Sequence, residues 1–124
     1  MSRKILNDSQ IHPAIREKVA TANADIVAEV MAAVEANPVV VVGMQGNPHV
    51  KRARAALDAA RAPYTYLEYG SYFSGWRRRG ALKMWTGWQT FPMVFVKGVL
   101  VGGASDLKRL VDSGELSALL NKKQ

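Results

Sequence analysis

Apolar residues change rhythm several times along the chain, and each change marks a predicted element. Ile26, Val27, Val30, Met31 and Val34 recur at helical spacing from about Asp25 to Glu35 and stop at Asn37-Pro38, which predicts an amphipathic helix with one apolar stripe. Val39 to Val42 is an unbroken β-branched run, the pattern of a strand buried on both faces. From Pro48 to about Ala60 the period returns to helical, with Val50, Ala53, Leu57 and Ala60 on one face, and Tyr64 to Glu68 follows Pro63 as a second strand. Strand, helix and strand of these lengths most simply form a right-handed parallel βαβ unit. Upstream, Ile11, Ile15 and Val19 repeat at helical spacing around His12-Pro13, where proline suits a first helical turn.

The second half follows a different local logic. A helix is expected near Trp76 to Trp85, and two short strands, Met93 to Lys97 and Val99 to Val101, meet at Lys97-Gly98 so closely that they must form an antiparallel hairpin. Leu107, Leu110 and Val111, then Leu116, Leu119 and Leu120, predict one helix and a short second helix that close the chain. This order specifies a small α/β domain with a mixed sheet of about four strands. Tyr64, Tyr66, Tyr69, Tyr72, Phe73, Trp76, Trp85 and Trp88 read as core aromatics in preference to a base-stacking surface.

Composition narrows the chemistry. A length of 124 residues with 48% hydrophobic content suits one compact domain. There is no cysteine, so the chain supplies no thiolate, disulfide or thiolate-ligated metal. His12 and His49 are the only histidines and lack metal-ligand spacing, so no metal is expected. No stretch approaches the roughly 18 apolar residues of a membrane span, and the start has no apolar signal core, so a cytoplasmic protein without a membrane partner is expected. A formal charge of +7 favours acidic partners. No nucleic-acid motif accompanies it, and a basic surface for nucleic acid, centred on Arg77-Arg78-Arg79, is the weakest of the functional readings.

Three stations stand out. In Gly46-Asn47-Pro48-His49-Val50, asparagine is a favoured N-cap and proline a favoured first helical residue, which leaves the positive helix end open to an anion. Arg79 and Lys83 are like charges at i,i+4 spacing, an arrangement that water or an anion relieves. Gly102-Gly103-Ala104-Ser105-Asp106 opens the last main helix, with Ser105 or Asp106 as its cap.

Together with Arg79-Gly80-Ala81-Leu82-Lys83-Met84-Trp85-Thr86-Gly87-Trp88-Gln89-Thr90-Phe91-Pro92, these stations resemble the glutaredoxins over about residues 24 to 120, the monothiol class more than the dithiol class. The resemblance implies a thioredoxin fold for residues 23–124 behind an N-terminal helical extension, residues 1–22. It also implies a cis peptide before Pro92. Asn47 falls where that family has its nucleophilic cysteine in Cys-Pro-Tyr-Cys or Cys-Gly-Phe-Ser, and Val50 falls on the resolving position. Met44 and Gln45 stand where a lysine is usual, Gln89 where monothiol members have proline, and Ser105 where aspartate is commoner.

Carried over, a glutathione site would comprise Asn47, Arg79 for the glycyl carboxylate with Lys83 nearby, and Thr90, Phe91 and Pro92 for the cysteinyl backbone. Gly103, Ser105 and Asp106 would complete it at the γ-glutamyl end. No residue is expected to be catalytic, and no iron–sulfur cluster is expected, since the family's one protein ligand is missing. The expected role is a non-catalytic module in redox homeostasis that binds glutathione, a glutathionylated protein or a redox-related partner. The alternative is a glutathione-dependent oxidoreductase in which bound glutathione supplies the thiol.

Overall fold

The computed structural model describes residues 3–121; residues 1, 2 and 122–124 lie outside it. A short 3-10 turn, Asp8–Gln10, precedes helices α1 (Pro13–Thr21) and α2 (Ala24–Ala36). Strand β1 (Val39–Gly43), helix α3 (Pro48–Ala59), strand β2 (Thr65–Glu68), helix α4 (Trp76–Thr86), strands β3 (Met93–Val96) and β4 (Val99–Gly102), and helices α5 (Ala104–Asp112) and α6 (Glu115–Asn121) follow. The four strands form one mixed sheet in the order β2-β1-β3-β4, with β1 parallel to β2 and antiparallel to β3.

The valine run of β1 is buried throughout because its side chains alternate between two cores. Val40 and Val42 join Ile26, Val30, Leu82, Met93 and Phe95 beneath α2 and α4. Val39 and Val41 join Ala53, Leu57, Val94, Val96 and Leu107 beneath α3 and α5. The β3–β4 hairpin turns through Lys97 (φ 51°) and Gly98 (φ 82°), the pair of left-handed residues that matches the twist of two-residue hairpins.

Some predicted positions are corrected. Met31 lies off the buried stripe of α2 and is exposed; the helix expected around Ile15 and Val19 is present as α1, with both side chains in solvent. Tyr72, Phe73 and Trp76 leave the core altogether, Phe73 with 97% of its surface exposed, because they fall on the β2–α4 loop and the outer face of the first turn of α4. Helix α5 starts one residue before Ser105, with Gly103 as its N-cap. Asp106, at the third helical position, turns its carboxylate back to accept the Gly103 N–H at 3.0 Å, which is the role of an acid in a helix's first turn and not of a cap residue.

Edge strand β2 carries a polar ladder. Arg54 of α3 lies over the Tyr66 ring, 4.0 Å from its centre, and donates to the Tyr64 hydroxyl at 3.2 Å, while the Tyr66 hydroxyl donates to Glu68 at 2.9 Å. Burial, with Glu68 beside the hydroxyl, pushes Tyr66 up to about 12, and burial does the same for Tyr69. In the unfolded chain tyrosine ionises near 10, so between pH 10 and 12 the unfolded state sheds protons that the native state keeps, and stability falls as pH rises. Spectrophotometric titration is expected to show two late phenols, and Tyr66→Phe to flatten the alkaline decline in Tm.

Gly43, at the end of β1, admits the close approach of α3. A Cβ there would come 2.8 Å from both γ-methyls of Val50, a buried, β-branched residue with little freedom to retreat. Gly43→Ala is expected to destabilise by about 1–3 kcal/mol through overpacking, and by less than about 1 kcal/mol in a Val50→Ala background, as measured by urea denaturation.

Candidate functional site

The amino ends of α3 and α5 and the loop before β3 converge on a cavity of about 270 Å³. His49 and Arg52 line one wall, Trp88, Thr90, Phe91 and Pro92 a second, and Gly103, Ala104, Ser105 and Asp106 the third. The peptide between Phe91 and Pro92 is cis, and both residues are buried at the base of β3. A larger apolar groove of about 560 Å³ runs between α1, α2 and α4, but Arg77 is the one ionisable residue on it. The smaller cavity has the polar lining that directional recognition requires.

The two helix ends differ. At α3 the Asn47 Oδ1 accepts from the N–H groups of His49 (2.8 Å) and Val50 (3.2 Å), and Pro48 has no N–H, so the donors of that first turn are satisfied internally. The sequence left this end open to an anion; the buried Asn47 cap closes it. At α5 the first intrahelical bond runs from Leu107 to the Gly103 carbonyl at 3.0 Å, so the amides of Ala104, Ser105 and Asp106 precede it and have no acceptor in the helix. Gly102 makes this approach feasible: its φ is +119°, and a Cβ would lie 2.5 Å from the Asp106 carboxylate.

Thr90, Phe91, Pro92, Gly103, Ser105 and Asp106 are therefore gathered at one cavity, with Asn47 capping the helix that carries His49 and Arg52. Arg79 lies apart from it. The residue is 6% exposed, and Nη1 donates to the Tyr69 carbonyl at 3.0 Å and to the Ser74 carbonyl, which fastens the β2–α4 loop from beneath. The Gly70 carbonyl in that loop accepts from Gln45 N–H at 2.8 Å, so the hold of Arg79 extends to the loop that leads into Asn47. Lys83, one turn further along α4, is the cation that reaches the Phe91 ring, 5.7 Å from its centre. Arg78 turns away to pair with Asp25 at 3.1 Å and Glu29 at 3.8 Å.

Sequence reasoning missed Arg52 and Trp88 and weighed His49 only as a metal ligand. The spacing held a signal: His49 and Arg52 are three residues apart in the first turns of a helix whose cap was already identified, so they share a face. Trp88 gave no such signal. It is set by Thr86, whose hydroxyl accepts the Trp88 N–H at 3.1 Å while donating to the Leu82 carbonyl at 2.8 Å. Among the described residues no cluster of three or more histidine, aspartate or glutamate side chains is arranged to hold a metal ion.

No family model matches the chain. It is 45% identical over 101 residues to a glutaredoxin-like protein of Dictyostelium discoideum, covering 82% of each chain. It is 35% identical over 95 residues to glutaredoxin-C8 of Oryza sativa subsp. japonica, covering 74% of this chain and 69% of that one. Among solved structures, oxidized glutaredoxin 2 of Chlamydomonas reinhardtii superposes with a TM-score of 0.69 at 29% identity, over 80% of this chain and 94% of the other. A buckwheat glutaredoxin in complex with glutathione superposes with a TM-score of 0.71 at 26% identity, over 81% and 91%.

The buried guanidinium makes a testable demand on this architecture. Arg79→Met keeps much of the side-chain volume but strands the Tyr69 and Ser74 carbonyls, and is expected to destabilise by about 2–4 kcal/mol in chemical denaturation. Hydrogen exchange at the Gln45 amide is expected to quicken in the same variant, since its acceptor loop loses its anchor.

Proposed function

Because the chain belongs to the glutaredoxin family and yet carries no cysteine, we propose that it is a non-catalytic binding module for glutathione or for the glutathionyl group of a modified protein, acting in redox homeostasis. The observation that carries this reading is the cavity at the open amino end of α5, where free amides face the cis-proline loop across a space the size of a small peptide. The relative crystallised with glutathione gives the ligand class.

Each part of the cavity has a task in this reading. The first-turn amides of α5 take a carboxylate, and the exposed Ser105 hydroxyl lies beside them. Asp106 holds the Gly103 N–H with one oxygen and offers the other to an ammonium group. Thr90 and Phe91, fixed by the cis peptide, present backbone to an extended peptide ligand. Asn47 cannot form a mixed disulfide, because an amide is not a nucleophile at neutral pH, and its oxygen is committed to the cap. Bound glutathione would keep its own sulfur chemistry while the protein supplies recognition.

Titration of isotope-labelled protein with reduced and oxidised glutathione is expected to move the amide resonances of Thr90, Phe91 and Ser105 together at millimolar ligand, with no reduction of a mixed-disulfide substrate above the uncatalysed rate. A spectrum that stays still at millimolar ligand would remove glutathione from the reading, and turnover that survives removal of contaminating redoxins would make the protein an enzyme.

A further inference from the structure

Helix α1 has nine residues and buries none of its side chains, although helices this short gain most of their stability by packing an apolar face. Its Val19 lines the groove of about 560 Å³, together with Val27 and Met31 of α2 and Trp76 and Met84 of α4. Val19, Met31, Trp76 and Met84 are all exposed, Trp76 at 64% and Met84 at 78%. Apolar side chains scattered singly over a surface are ordinary, but here three helices bring theirs into one concavity. The groove shares no lining residue with the cavity at the amino end of α5.

The chemistry of the groove restricts its occupant. Its walls are helices, whose backbone groups bond within each helix, so it offers no sheet edge to an extended peptide. An occupant must satisfy its own backbone, as a helix does. Met31 and Met84 are unbranched and can mould to the side chains of such a helix. Arg77 is the one ionisable residue of the lining, and its guanidinium carbon lies 5.1 Å from the centre of the Trp76 ring. Among the described residues no carboxylate forms a salt bridge with Arg77, while Arg78 takes Asp25 and Glu29 of the adjacent α2. A carboxylate at the edge of an apolar face complements that arrangement. A second copy of this chain complements it poorly, since each copy carries a net charge of +7. A bilayer also fits poorly, because it takes up projecting side chains and these line a recess.

We infer that the groove between α1, α2 and α4 receives the apolar face of an acidic amphipathic helix from a protein partner, with a carboxylate of that helix paired to Arg77. The partner completes the packing that α1 lacks, and Trp76 is the aromatic anchor of the interface. The inference is independent of the glutathione reading, because the two sites have no residue in common.

The test begins by panning a displayed library of random peptides, about 16 residues long, on the 124-residue chain, a length that spans about four helical turns. Enriched sequences are expected to carry apolar residues at i, i+3 or i+4 and i+7, with glutamate or aspartate beside them. A synthetic peptide of that class is expected to gain helical circular dichroism on binding, to shift Trp76 fluorescence to the blue and to slow amide exchange in α1. Arg77→Glu is expected to weaken it about tenfold and to improve the affinity of a counterpart with lysine in place of the acids, and Trp76→Ala to weaken it about thirtyfold. Because both residues are exposed, both variants are expected to keep the wild-type Tm. Failure to enrich any sequence, enrichment of basic or non-helical sequences, or peptides whose binding neither variant alters would overturn the inference. So would dimerisation of the chain alone, or binding to phosphatidylglycerol vesicles, that Trp76→Ala abolishes, since either result puts a different occupant in the groove.

Discussion

Everything at the cavity depends on β1 being buried on both faces. Four consecutive valines leave no surface of the strand to water, so one helical layer must cover each side. Val40 and Val42 require α2 and α4; Val39 and Val41 require α3 and α5. That demand brings α3 and α5 side by side on one face, with their amino ends at the same edge of the domain. Gly43 then lets Val50 settle against the strand end, which fixes where α3 begins and hence where His49 and Arg52 stand.

The two helix starts take opposite solutions to the same problem. Each helix begins with amides that have no intrahelical acceptor. At α3 the sequence Asn47-Pro48 removes one donor and covers two, so the helix that bears the catalytic cysteine in relatives of the Cys-Pro-Tyr-Cys type has a sealed amino end here. At α5 the cap is a glycine with no side chain to offer, and Asp106 reaches back past the helix start to Gly103, so the donors of that end stay free. Of the two helix starts, the first has its amides capped internally and the second does not.

The arginines show how little sequence position says about role. Arg77, Arg78 and Arg79 are consecutive, yet one lies over the Trp76 ring, one pairs with acids of α2, and one is buried beneath a loop. Arg79 supports the cavity only through the chain of bonds from Tyr69 and Ser74 to Gly70 and Gln45. Arg52, outside that cluster, lines the cavity with its Nη2 2.7 Å from His49 Nδ1.

Local patterns by themselves determined the element order, the parallel βαβ unit, the tight hairpin at Lys97-Gly98 and the cap at Asn47, because each rests on periodicity or on φ and hydrogen-bond preferences that a few adjacent residues set. The absence of cysteine likewise excluded a protein thiolate before any fold was known. Resemblance, not local preference, supplied the cis bond before Pro92. What only the tertiary structure decided is which polar groups remain free. Asn47 was legible as a cap, but that its oxygen takes both amides was not; Arg79 was legible as a charge, but its burial under two carbonyls depends on where the β2–α4 loop folds. Met31, Phe73 and Trp76 read as apolar and ended in solvent, since burial depends on which face a neighbouring element covers. Hydrogen-bond capacity works in the same way: the residue type fixes how many donors exist, and only the packed chain fixes how many are already used.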